Sequence, residues 1–231
     1  MTNLTDFPVT RRWPPAHPDR LQLYSQPSPN GVKVSILLEE TGLPYEAHRI
    51  PFGDDGTRSA EYLALYPYGK IPAILDPAGP GGQPLALFES GAILMYLAGK
   101  TGQLLSQDAP RRWETIQWLF WQVGGVGPMF GQVGYFNRFE GKVIDDPRPL
   151  QHYVEESRRL LAVLDGRLEE REWVMDDYSI ADVSLIGLVR NLIGYYEARE
   201  LVGFDDFANV AAWLKRALAR PAVERGLRIP E

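Results

Sequence analysis

The sequence predicts two domains: a small mixed α/β unit with the element order βαβαββα, followed by an all-helical one. Three observations carry that expectation. A length of 231 residues suits one large domain or two small ones. Up to about residue 105, short strand-like runs alternate with amphipathic helical stretches; beyond it, helical periodicity continues almost to the end. A composition 45% hydrophobic and 11% aromatic is that of a chain with a packed core.

Residues 21–24 alternate as a short strand should, which makes Tyr24 a structural residue within it. A loop rich in Pro, Ser and Asn follows over residues 25–31. Residues 32–41 read as a helix, with Val34, Leu37 and Leu38 on one face and Gly42 placed to end it. Residues 45–50 form a second strand and residues 60–66 a short helix. Residues 73–75 and 85–87 are two strands joined through Asp76-Pro77 and the glycines between 79 and 82. Residues 89–100 are a helix with Ile93, Leu94 and Leu97 facing inward. Two strands flanking a helix, then a hairpin and a helix, describe a small mixed sheet with helices packed on it.

The later helices are longer. Residues 111–123 form one, expected to stop at Gly124-Gly125, and residues 149–171 another, with Leu160, Leu161, Leu164 and Leu168 at helical spacing. Ser179-Ile180-Ala181-Asp182 has the form of a capping box opening an apolar helix over 180–192. Residues 208–220 close the bundle, with Pro221 as its stop. The expected boundaries are an extension over 1–20, a first domain over 21–102 and a second over 109–231. The prolines of Trp13-Pro14-Pro15 favour extended, mobile chain in the extension, the alternative being a docked arm that covers a partner subunit.

Composition narrows the chemistry. The chain has no cysteine, which excludes disulfides, thiolate metal sites and a cysteine nucleophile. Its three histidines fall in no metal-ligand spacing, so no metal is expected. A formal charge of −6 argues against a nucleic-acid footprint, which needs a basic face. No apolar run reaches the ~18 residues of a membrane span, and the start of the chain lacks the apolar stretch of a secretory signal. A cytoplasmic protein is the expectation.

Four features stand above background. Ser28-Pro29-Asn30-Gly31 lies at a loop-to-helix junction, where free amides favour an anion and a hydroxyl or side-chain amide can donate to a thiolate; both residues are also ordinary helix caps. In Lys70-Ile71-Pro72-Ala73 the proline sits at a strand start, where Ile71 can pair with a peptide backbone. Glu89-Ser90 sits at a strand-to-helix turn, where a hydroxyl can hold a carboxylate and Glu89 can accept from an ammonium group, the two ends of an amino-acid head group; alone, the pair also reads as an ordinary helix cap. Residues 117–129 combine aromatics with a glycine run that follows a helix rather than a strand. That placement is unlike a phosphate loop.

Together these pieces resemble the glutathione transferase family, a thioredoxin-like N-terminal domain followed by a helical one, over residues 21–231. Ile71-Pro72 resembles the family's cis-proline step, Glu89-Ser90 its γ-glutamyl-binding pair, and Ser179 to Asp182 its C-terminal capping box. Pro29-Asn30-Gly31, Lys70 to Ile74, Leu87 to Leu94 and above all Gln117 to Met129 are similar to the Nu class, bacterial relatives of the yeast prion regulator's globular domain. The resemblance implies a glutathione-dependent disulfide-bond reductase with modest peroxidase activity, acting as a homodimer on a small disulfide or an electrophile. It implies that Ser28 and Asn30 meet the glutathione sulfur, that Ile71 beside Pro72 pairs with the cysteinyl unit, and that Lys70 lies near the peptide carboxylates. Glu89 and Ser90 would hold the γ-glutamyl end. Thr57 stands where the class commonly has Gln or His at the glycyl end, and His152 where it has an arginine reaching the ligands. Both depart from the pattern. The alternatives are a conventional transferase conjugating electrophiles, a binding or regulatory protein of the same fold, and a different low-molecular-weight thiol in the same pocket.

Overall fold

In the computed structural model, which describes residues 4–231, the chain divides into two units. One comprises the residues up to Thr101 with Ala222–Glu231; the other is Gly102–Pro221. The first contains α1 (Val9–Arg12), β1 (Leu21–Ser25), α2 (Gly31–Thr41), β2 (Tyr45–Arg49), α3 (Ala60–Leu63), β3 (Ala73–Asp76), β4 (Leu85–Phe88) and α4 (Ser90–Thr101). Its four strands lie in the order β2-β1-β3-β4, with β1 parallel to β2 and antiparallel to β3, and β3 antiparallel to β4. This is the mixed sheet that the strand spacing predicts. A helical crossover leaves β1 and β2 parallel, and the glycine-rich turn makes β3 and β4 a hairpin. β1 is buried at every position, so alternation in its sequence does not reflect a solvent face; Gln22 is buried too and bonds His48 and the carbonyls of His17 and Arg20.

The N-terminal segment departs from the extended chain its prolines suggest. A 3-10 turn at Leu4–Asp6 and α1 precede Pro14 and Pro15, and Leu4 and Val9 are buried in one cluster with Tyr24, Ile50, Tyr62 and Ile71. Four apolar residues between positions 4 and 13 (Leu4, Phe7, Val9, Trp13) are enough to dock the segment on its own domain.

The second unit contains α5 (Ala109–Trp121), α6 (Gly127–Arg138), α7 (Arg148–Arg167), α8 (Ile180–Ile193) and α9 (Ala208–Leu218). Gly124-Gly125 does not stop α5. Residues Gln122–Val126 form a π-helical turn that carries the chain on into α6. Two glycines cost a helix only about 1 kcal/mol each, and a π-turn absorbs the misfit without a break. The expected capping box is present: Ala181 N–H donates to Ser179 Oγ at 3.2 Å and Ser179 N–H to Asp182 Oδ2 at 3.0 Å. Asp182 also accepts from Val174 N–H and Trp213 Nε1–H, each at 2.9 Å, tying α8 to α9. Leu104 accepts from Ile180 N–H at 2.9 Å, so the expected joint at 103–108 is bound into this unit.

Pro221 does not end the helical chain but opens α10 (Pro221–Gly226), as a proline at a first helical position can. From Ala222 the chain belongs to the first unit. Ser35 of α2 donates to the Gly226 carbonyl at 2.6 Å, and a Cβ on Gly226 would lie 2.6 Å from the Ile36 Cα. The division therefore differs from the expected boundary: the last ten residues pack beside α2.

Candidate functional site

Strand register brings the candidate segments of the first unit to one edge of the sheet. Tyr24 is opposite Ala73, Ala73 is opposite Phe88, and Ser25 is opposite Arg49. β1, β2 and β4 therefore finish, and β3 starts, at the same end. The loops that leave or enter there carry Ser28 and Asn30, Thr57, Lys70 to Pro72, and Glu89 with Ser90. Residues far apart in the chain meet because the sheet is mixed.

The junction before α2 separates two roles that composition alone leaves merged. Ser28 does the capping: its Oγ accepts from Gly31 N–H at 3.2 Å, and its carbonyl accepts from Val32 N–H at 3.0 Å. A hydroxyl that accepts in this way keeps its own proton to donate. Asn30 occupies the cap position without a side-chain cap bond, and its side chain is exposed. Its amide is therefore directed to solvent beside the amides of the α2 start. Gly31 is required by close approach, since a Cβ there would lie 1.9 Å from the Gln26 carbonyl oxygen.

At the β4–α4 turn, Glu89 has φ 72°, a left-handed conformation that costs a non-glycine residue about 1–3 kcal/mol. Glycine would relieve the strain; the carboxylate is what glycine could not provide. Tyr66 OH donates to Glu89 Oε1, and the Tyr66 ring stacks on Phe88 at 4.5 Å. Burial and the bond to Glu89 both push the Tyr66 phenol up, so it stays a donor. Ser90, the first residue of α4, is buried, and Lys33 Nζ donates to its Oγ at 3.4 Å. Lys33 is itself only 1% exposed; burial pulls it down to about 7, opposed by the charge of Glu89.

The step from Ile71 to Pro72 is cis. β3 begins at Ala73, so Ile71 precedes the ladder, while its side chain joins the core cluster. The Lys70 carbonyl accepts from the buried Tyr62 OH at 2.8 Å, and the Lys70 ammonium lies 5.3 Å from the Tyr68 ring. Thr57 is placed differently from a ligand-facing residue. It is 3% exposed, and its hydroxyl accepts from Gly53 N–H at 3.1 Å, which closes the turn it sits in. His152 is exposed on α7 in the second unit, edge-on to Tyr153.

Sequence reasoning passed over Lys33, Tyr62 and Tyr66. The one signal for Lys33 was a lone charge inside Val32-Lys33-Val34-Ser35-Ile36; nothing local marks the tyrosines. Elsewhere in this unit, a cleft of about 560 Å³ runs along β2, but its Arg225 is paired with Glu39 and its Arg228 with Glu224. Among the described residues no three His, Asp or Glu come together as a metal site, and no helix is long and apolar enough to cross a membrane.

Residues 27–100 match the family model of the glutathione S-transferase N-terminal domain, and residues 134–221 that of its C-terminal domain. The chain is 42% identical to the disulfide-bond oxidoreductase YfcG of Escherichia coli over 90% of its own length and 94% of that protein's. To YghU, a disulfide-bond oxidoreductase of the same organism, it is 39% identical over 91% of its length and 74% of that protein's. A glutathione transferase from Pseudomonas putida, solved with one glutathione disulfide per subunit, superposes with a TM-score of 0.98 at 60% identity, covering both chains fully. One from Burkholderia graminis, holding two glutathione molecules per subunit, gives 0.97 at 60% identity over 100% of this chain and 97% of that one. The chain belongs to the glutathione S-transferase family.

Proposed function

We propose that this protein is a Nu-class, glutathione-dependent disulfide-bond oxidoreductase in which Asn30 and Ser28 favour the thiolate of bound glutathione. The carrying observation is the division of labour before α2. Ser28 caps with its oxygen and keeps its proton, while Asn30 takes no part in the cap. A helix N-terminus contributes about 0.3–1 kcal/mol to an anion, less than one pK unit. Bringing a thiol from about 8.5 to near neutrality takes about 2 kcal/mol, which the helix alone does not supply and side-chain donation to the charged form, about 1.5–3 kcal/mol per hydrogen bond, does. Glu89 and Ser90 receive the γ-glutamyl ammonium and carboxylate, Ile71 beside Pro72 pairs with the cysteinyl backbone, and Lys70 faces the glycyl carboxylate. Thr57 acts through the turn that its hydroxyl closes rather than by contact with the ligand.

The reaction needs no protein sulfur. The glutathione thiolate attacks one sulfur of a disulfide substrate; an S–S bond forms as the original one breaks, and the leaving thiolate takes a proton. A second glutathione thiolate resolves the mixed disulfide, so two thiols are oxidised to glutathione disulfide and one disulfide is reduced to two thiols. The glutathione disulfide and paired glutathione held by the solved relatives are the product and co-substrates of this sequence. YfcG and YghU, which carry the activity in their names, support the same reading. A cytosolic homodimer is part of the proposal.

Asn30→Ala tests it. Disulfide-reductase kcat/KM falls about tenfold while the glutathione Kd changes little, one hydrogen bond to the charged form being lost. Unchanged turnover removes Asn30 from the mechanism. Faster turnover of an activated aryl halide than of a small disulfide would make the protein a conventional transferase, and no binding of glutathione or its disulfide at millimolar concentration would make it neither.

A further inference from the structure

Residues 4–17 lie before the matched N-terminal family domain, which starts at residue 27, yet they are packed against the loops of the glutathione edge. The contacts fall in two places. Trp13 meets Tyr62 edge-to-face at 6.2 Å, and Tyr62 OH donates to the Lys70 carbonyl at 2.8 Å, immediately before Ile71-Pro72. Arg12 donates through Nη2 to the Asp55 carbonyl at 2.8 Å, lies 3.7 Å from the carboxylates of Asp55 and Glu61, and stacks over Trp13 at 5.4 Å. The turn so held is the one Thr57 closes from within. Gly69, whose Cβ would lie 3.0 Å from the Thr57 carbonyl, puts this turn directly against the Lys70 turn. A third attachment fixes the far end of the segment: Ala16 N–H and His17 N–H donate to the two carboxylate oxygens of Glu46, at 2.9 and 2.7 Å.

We propose that this segment is a positioning brace for glutathione binding, with Trp13 acting through Tyr62 on the Lys70-Ile71-Pro72 turn and Arg12 acting on the turn that carries Thr57. The inference rests on the reading that this edge binds glutathione. It assigns the segment no contact with the ligand. The Arg12 fork meets a backbone carbonyl of the turn and the carboxylate at the start of α3 together, and it lies over the ring that reaches Tyr62. One pair of side chains thus restrains two loops. Their ordering is completed before ligand arrives, and a preorganised site binds more tightly because less freedom is lost on binding.

The test uses the full-length protein with Trp13→Ala, Trp13→Phe and Arg12→Met, measuring glutathione Kd by calorimetry, steady-state kinetics with a small disulfide, and amide exchange. Trp13→Ala is expected to raise the glutathione Kd and KM about fivefold, the cost of ordering two loops afresh, with kcat within about twofold. Amides at 53–59 and 68–71 exchange faster while those of β1 and β3 do not. Trp13→Phe, which keeps a ring against Tyr62, restores binding to within about twofold of the parent. Arg12→Met keeps the stem and loses the fork; because that side chain is part-exposed it tests the brace even if Trp13→Ala fails to fold, and it raises Kd about twofold to threefold. Folded variants that bind glutathione as the parent does, or that lose only thermal stability, overturn the brace. If the parent itself binds no glutathione, the site reading fails instead, and the exchange at 53–59 and 68–71 alone decides whether the segment restrains those loops.

Discussion

Gly31→Ala should remove most of the activity of a protein whose helix it would be expected to improve. On propensity alone, alanine in place of glycine at the start of an 11-residue helix favours the helix by up to about 1 kcal/mol. The geometry reverses that. A Cβ on residue 31 would lie 1.9 Å from the Gln26 carbonyl oxygen and 2.5 Å from Ser25 Oγ, so reaching ordinary contact at 3.4 Å demands a retreat of about 1.5 Å. Neither neighbour is free to give way. Ser25 belongs to β1, opposite Arg49, and the Gln26 carbonyl accepts from Ser28 N–H at 2.7 Å while its side chain donates to the Ile50 carbonyl at 2.5 Å. The movement falls on the junction bearing Ser28 and Asn30. Overpacking costs about 1–3 kcal/mol, leaving a net loss of about 1 kcal/mol in stability. Misplacing the thiolate donors by about 1 Å costs on the order of a hundredfold in kcat/KM. The assay is disulfide reduction at saturating and limiting glutathione, beside thermal unfolding, with Gly99→Ala as the matched control. Gly99 lies inside α4 with nothing within 4 Å of its Cβ, so that variant gains about 0.5–1 kcal/mol and keeps its turnover. Parent-like kinetics in Gly31→Ala, within about threefold, would show that the junction is not where the sulfur is activated.

Tyr66→Phe keeps the stack on Phe88 but removes the donor to Glu89; the glutathione Kd, read by calorimetry, rises about tenfold, with little change in thermal stability. Asp182→Ala strands the Val174, Ser179 and Trp213 N–H donors in a fully buried site, and urea unfolding should show a loss of about 4 kcal/mol, since each orphaned donor costs about 1–3 and partial hydration recovers some. A loss under about 1 kcal/mol would mean the capping box is decorative. Glu46 gives the segment before β1 a pH dependence of defined sign. Burial would raise its carboxyl, but donation from Ala16 and His17 and the charges of His48 and His17 hold it below the ordinary 4.5. A depressed folded value stabilises docking above pH 4.5, and that contribution disappears as pH falls through the folded value. Amide exchange at Ala16 and His17 should therefore be faster in Glu46→Gln than in the parent at pH 7, and the two should converge as pH falls through the folded value.

The strands and most helices were legible because period 2 and period 3.6 are local signals, and so were the caps. Ser179 and Asp182 make their box within four residues. The strand-to-helix turn at Glu89-Ser90 and the cis step at Ile71-Pro72 were legible for a related reason: each is a short local motif. What escaped was decided at a distance. Lys33 looks like the solvent side of an amphipathic helix, but α4 supplies Ser90 from 57 residues away and α10 packs beside Ile36, so α2 is covered on the faces the sequence leaves open. Tyr66 reaches the Glu89 carboxylate only when the turn after β4 is folded beside it, 23 residues on. The segment before β1 escaped because four apolar residues over two short turns have no period to read; what orders them is the surface around Tyr62. Glycine misled in the opposite direction. Gly124-Gly125 marks a π-turn, a conformation for which residue type gives no separate sign.

The absence of cysteine takes on a different meaning once the site is assembled. A fold that places helix amides, a hydroxyl proton and an amide side chain at one junction has the donors to stabilise a thiolate but no sulfur of its own to stabilise. Those donors favour an anion over a neutral group, so they discriminate between charge states more than between ligands. In the proposed site, selectivity must then come from the other end, where strained Glu89, held by Tyr66, and buried Ser90, touched by Lys33, would receive an amino-acid head group. Separating the two functions explains why perturbations should split cleanly: changes at Ser28, Asn30 or Gly31 act on turnover, while changes at Tyr66, Trp13 or Arg12 act on binding. A variant from the first group that altered only Kd, or one from the second that altered only kcat, would show that activation and recognition are not divided between the two ends.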